Sequence, residues 1–142
     1  MGLYAAKQDL IDWIGEKNLT EISVVDNDSN EPNDGRIDVA IARGQATINN
    51  KFRTGFYAIP FSFSDEDSIQ QVREWNVVLA VVWLWRARRI NSPNNTKKAK
   101  ANFFEDNEKR VRAEMASVLA GATRLNAATV EDDHPTAPVV VF

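Results

Sequence analysis

The sequence predicts an all-α fold: a small helical bundle with a long antiparallel helix hairpin, an extended connector and an extended C-terminal arm. Three observations predict it. Ile37, Ile41, Gly44, Ile48 and Phe52 recur at spacings of three and four, the signature of one helix face. A second stretch, Ser64 to Ile90, carries apolar residues on every side, and a third, from Thr96 onward, carries a stripe of its own. The turn between those two, "NSPNN", is short enough to fold them back on one another.

Taken in order, the first helix runs from about Ala5 to Ile14 and is closed by Gly15, with Leu3, Leu10, Trp13 and Ile14 as its apolar contacts. "NLTEISVV" forms a short second element through Leu19, Ile22 and Val25. The acidic stretch "VVDNDSNEPNDGRID" follows. Its Asp26, Asp28 and Asn30 match positions of a calcium loop, but Glu31 stands where that loop demands Gly and Ile37 where it demands Glu. The stretch therefore reads as a solvated loop leading into a helix, with Asp34 and Asp38 at the positive end of its dipole. Gly44 lies on the apolar stripe of that helix, which predicts close approach of another helix.

"RTGFYAIPFSF" breaks the periodicity and reads as an extended connector or short strand. Ser64 with Asp67 resembles a capping box at the start of the long helix. The unbroken apolar run Val77 to Trp85 is far shorter than the roughly 20 residues that span a bilayer, so it predicts a buried helix. The last helix is expected to run from Thr96 to about Leu125, with Phe104, Val111, Met115, Val118, Leu119 and Ala122 on its stripe. Residues 1–125 then form one helical domain and residues 126–142 the arm.

At 142 residues, 44% hydrophobic and 26% charged, the chain suits one domain with a true core. It has no cysteine and a single histidine, His134, which removes thiolate and imidazole chemistry as a basis for catalysis or metal binding. The acid pairs Asp65–Asp67 and Glu105–Asp106 fit helix-dipole and capping roles rather than acid/base work. There is no phosphate-binding glycine loop and no nucleophile elbow. The expectation is a non-enzyme without cofactor or metal. "MGLYAAKQDL" lacks the basic and apolar regions of a signal peptide, so a cytoplasmic site of synthesis is expected.

The formal net charge is −3, unevenly placed. Residues 1–38 contain nine acidic and three basic residues, whereas residues 75–104 contain six basic residues (Arg86, Arg88, Arg89, Lys97, Lys98, Lys100) and no acid. Opposed patches of this kind suit head-to-tail contact between identical subunits. The cluster Arg86–Lys100 with Trp83 and Trp85 can be read as a surface for nucleic-acid backbones, or as core tryptophans with cations closing the helix hairpin. Val139, Val140, Val141 and Phe142 form a β-prone apolar end, a sticky tail or a strand that adds to a partner's sheet edge.

"LYAAKQDLIDWIG", the acidic loop leading into "DVAIARGQATINNKF", "GFYAIPF" and "RVRAEMASVLAGATRL" together resemble a family of small tailed-phage proteins similar to the gene-36 product of phage Mu, related in outline to head-tail adaptors. The resemblance covers about residues 3–125. The chain departs from it at Ala6, where the family commonly offers a Thr cap, and in the aromatic "VVWLW" and the apolar terminus. The resemblance implies a virion neck component made in the host cytoplasm: a dodecameric ring that docks on the portal and offers the next surface to a tail terminator or stopper. It further implies non-specific contact with packaged DNA in the channel and no membrane. A tail-side completion protein and a nucleic-acid-binding module are the alternatives. Interface residues expected from the sequence are Phe56, Tyr57, Trp83, Trp85, Arg86, Arg88, Arg89 and Val139–Phe142, and the connector and arm are expected to order on contact with neighbours.

Overall fold

The computed structural model describes residues 4–24, 31–53, 55, 57–91, 98–123, 125 and 127, with side chains at 89–91 and 98–101 outside that description. Five helices follow in order: α1 (Lys7–Ile14), α2 (Glu16–Ser23), α3 (Asp34–Phe52), α4 (Glu66–Asn91) and α5 (Lys98–Leu119). Among the described residues there is no strand. The connector contributes an isolated antiparallel bridge, Phe63 to Ala127, so among the described residues its strand reading reduces to isolated bridge pairing.

The start of α1 shows what the missing Thr does. Ala6 has the extended backbone of a cap, φ −133° and ψ 169°, but no oxygen to accept from the first turn. Only the reciprocal half of a capping box survives: the Ala6 N–H donates to Asp9 Oδ2 at 2.8 Å. At the other end Gly15, at φ +88°, takes a conformation that other residues reach only with strain, and α2 starts at once in a new direction. Ser23 Oγ accepts from the Asn33 N–H at 3.0 Å and ties the end of α2 to the beginning of α3.

α3 buries Ile37, Ala40, Ile41, Gly44, Ile48 and Phe52, the expected stripe with Ala40 added. Its cap is Asn33, whose Oδ1 accepts from the Arg36 N–H at 3.1 Å, while Asp34 pairs with Lys7 at 2.7 Å. α4 is capped by Asp65, whose Oδ1 accepts from the Ser68 N–H at 3.0 Å. The capping carboxylate therefore belongs to the residue after the expected Ser64.

α4 is the axis of the bundle and packs on α3, α5, α2 and α1. That accounts for its apolar residues on all sides: Val72, Trp75, Val77 through Val82, Leu84 and Trp85 are all buried. α5 runs antiparallel to it, as expected for a hairpin, since Trp85 meets Phe104, Arg86 meets Glu108 and Trp75 meets Glu114. α3 is antiparallel to α4 as well, with Phe52 stacked on Trp75 and Arg43 over Trp83.

α5 buries Phe104, Val111, Met115 and Val118 as expected but stops at Leu119 rather than Leu125. Gly121, at φ +87°, turns the chain out, donating to Val118 O at 3.0 Å while Ala122 donates to Ser117 O at 3.0 Å. This pair of bonds is a Schellman closure. Ala122 is consequently exposed instead of completing the stripe. Glu105 and Asp106 lie two turns inside α5, not at its start.

An aromatic cluster fills the end of the bundle where the non-helical segments meet. Phe61 packs against Tyr4, Phe52, Tyr57 and Phe63 with ring centres 5.2 to 6.0 Å apart. The Tyr4 hydroxyl donates to Asn49 Oδ1 at 2.6 Å and accepts from the Phe61 N–H at 3.0 Å. Burial raises its pKa, and the Phe61 N–H works against that rise. The Tyr57 hydroxyl accepts from the Leu125 N–H at 2.9 Å. The described part of the connector is thus already packed in the single subunit, because its aromatic side chains complete the core.

Candidate assembly surface

The hairpin residues that the sequence marks as an interface divide into buried, engaged and available groups. Trp85 is 6% exposed, with its ring 5.0 Å from that of Phe104. Tyr57 is 1% exposed. Both serve the core of their own subunit. Arg88 donates from Nη1 to Val24 O at 2.7 Å, holding the end of α2 on α4. Phe56, the Arg89 side chain and Val139–Phe142 lie outside the described residues, as do the calcium-like positions Asp26, Asp28 and Asn30.

Arg86 spans α4 and α5 in a two-pronged contact, Nη2 to Glu108 Oε1 at 2.6 Å and Nη1 to Oε2 at 3.0 Å. Arg112 reaches the same Glu108 Oε2 at 3.2 Å from one turn further along α5. The Arg86 hydrogen bonds, helped by Arg112, hold the Glu108 carboxyl below the usual glutamate range although burial pushes the other way. The same contact raises Arg86. These cations close the hairpin, the second of the two sequence readings, but through a carboxylate rather than a helix dipole.

Trp83 is half-buried and covered from α3. The guanidinium carbons of Arg36 and Arg43 lie 5.7 and 5.6 Å from its ring centre. Sequence reading placed Trp83 in the interface but missed Arg36 and Arg43, which lie some forty residues earlier. The available signal was their seven-residue spacing, which places both on one side of α3. Beside them a cleft of about 110 Å³ runs between the helices, lined by Arg43, Thr47, Leu79, Val82, Trp83 and Arg86 among others.

A second, apolar groove of about 370 Å³ lies where α1 and α2 meet the start of α5, lined by Trp13, Ile14, Ile22, Phe103 and Phe104 together with Asn18 and Glu21. Trp13 and Phe103 stack at 5.4 Å, and Phe103 is 45% exposed. Among the described residues no group of three or more His, Cys, Asp or Glu could hold a metal ion. No helix of the described residues is long and apolar enough to cross a membrane.

Fold and surface together define a small all-α protein with an arginine-flanked tryptophan cleft on one side and an apolar groove on another. The family described as Bacteriophage Mu, Gp36 matches residues 4–141. The chain belongs to that family and is a phage-related protein. No curated protein matches it.

Proposed function

We propose that the protein is a structural component of a tailed-phage virion, a head-tail adaptor of the neck. It forms a dodecameric ring on the portal of a filled head and presents the next docking surface to a tail terminator or stopper. Membership of the Gp36 family over residues 4–141 carries this reading. The uneven surface charge supports it, because a ring needs a heterologous interface in which one face of a subunit meets a different face of the next. The role is assembly, without a chemical step, cofactor or membrane.

A ring beneath a portal surrounds the DNA path, so non-specific backbone contact in the channel belongs to the proposal. A dedicated nucleic-acid module is less favoured, because Arg86 and Arg88 are engaged within their own subunit.

Co-purification with portal-bearing heads, comparing the whole chain with one ending at Asn126, tests the adaptor role. The whole chain is expected to bind heads, and loss on truncation would assign docking to the arm. Binding to tails alone, by either form, overturns the adaptor role in favour of tail-side completion. Salt-sensitive duplex binding without head or tail binding overturns both.

A further inference from the structure

On the side of α4 that faces α3, two arginines share one tryptophan, and neither has a carboxylate partner among the described residues. Arg36 Nε is buried without a hydrogen-bond partner among the described residues. Arg86 and Arg112 stand beside them on the single carboxylate of Glu108. Arg43, Arg86 and Arg112 thus line one cleft with Glu108, and Arg36 flanks it across the Trp83 ring, in a chain whose formal net charge is −3. Stacking on Trp83 fixes two of them in place, so their N–H donors are organised before any ligand arrives.

The outward edge of α3 next to these cations is apolar: Val39, 46% exposed, with Ala42 and Ala46 one and two turns on, both exposed. A phosphodiester backbone has nothing to place against such a strip. A packed protein surface bearing carboxylates matches both parts.

This molecule has such a surface on its other side. Asp12, Glu16 and Glu21 are exposed on α1 and α2. Leu79 lines the arginine cleft, whereas Val77 lines the cleft containing Asp12 and Trp13. Two residues apart on a helix means about 200° apart, so the two surfaces lie on opposite sides of α4.

We propose that a second copy of this chain seats its acidic α1–α2 edge against the cleft of Arg43 and Trp83 and the Arg36 that flanks it, in a head-to-tail contact that repeats around the ring. The contact rests on the ring reading above and names its subunit joint. Neither patch can pair with itself, so the interface is heterologous.

The absence of native cysteine makes cross-linking a clean test. Lys17→Cys on the acidic edge and Thr47→Cys in the cleft are introduced together, and protein bound to portal-bearing heads is treated with a short bis-maleimide. A ladder of multimers is expected. Arg36→Glu with Arg43→Glu should reduce it more than about tenfold, because like charges then face each other. Adding Glu16→Lys and Glu21→Lys to that chain should restore the ladder, with thermal melts showing that every variant folds. Protein present on heads without a ladder overturns this contact and leaves the adaptor role standing. Protein absent from heads overturns the adaptor role and the contact with it. An unchanged ladder in the Arg36→Glu/Arg43→Glu chain, or no rescue by the four-fold swap, overturns the contact. Loss of duplex DNA binding with an unchanged ladder assigns the arginines to nucleic acid instead and also overturns it.

Discussion

Glu108 holds two arginines on one carboxylate, and its depressed pKa makes it a pH-dependent tie between α4 and α5. A carboxyl whose folded value lies below its unfolded value contributes fully above the unfolded value, and that contribution is lost as pH falls through the folded one. From about pH 4.3 downward, acid unfolding should therefore be shallower in Glu108→Gln than in the native chain, although the variant starts less stable at neutral pH. Circular dichroism across an acid titration reads both effects. Ala6 offers the opposite case. Ala6→Thr would complete the half-formed capping box and stabilise by about 1 kcal/mol, a calorimetric rise of about 3 °C. The role of Ala6 was legible from the sequence because capping is local. The fate of Trp83 and Trp85 was not: two residues apart on α4, they differ in what the neighbouring helices place over them, and no spacing rule specifies that.

The stripe of α3 was legible apart from Ala40, since its period decides which side is buried. Its partner was not. A Cβ on Gly44 would stand 2.6 Å from Asn76 Nδ2 and 3.2 Å from the Asn76 carbonyl oxygen, so the glycine makes room for a fully buried amide. Asn76 donates to Ile41 O at 3.1 Å, while its own Oδ1 has no partner among the described residues. Within an apolar run, "WNVV" gives no sign that its Asn faces a glycine on another helix. Gly44→Ala should cost about 1–3 kcal/mol through overpacking, despite the better helix propensity of Ala. Asn76→Ala removes the obstructing amide. The double variant should therefore be more stable than the sum of the single effects by at least about 0.5 kcal/mol in denaturant melts. The end of α5 was misjudged for a related reason: apolar periodicity continued to Ala122, but the backbone preference of Gly121 outweighed it.

At the scale of the whole molecule, the proposed joint sets the arginine cleft against the acidic α1–α2 edge, and a ring built on that joint should loosen with salt. Raising ionic strength from about 0.05 M to 0.5 M shortens the screening length to a few ångströms. Analytical centrifugation of cross-linker-free material released from heads should then shift toward monomer, whereas an apolar joint at Trp13 and Phe103 would hold or tighten. The family and the helical class were readable from sequence order. The arginine cleft was not, because it joins α3 to α4 and α5 across forty to seventy residues of chain. The two tyrosine hydroxyls have one last consequence. The amides of Phe61 and Leu125 lie in irregular backbone, where exchange with solvent is ordinarily fast, yet each donates to a buried phenol oxygen. Both should exchange slowly in deuterated water, and Tyr4→Phe and Tyr57→Phe should each release one of them selectively. A movement of the connector on binding a partner would be recorded at these two amides as faster exchange.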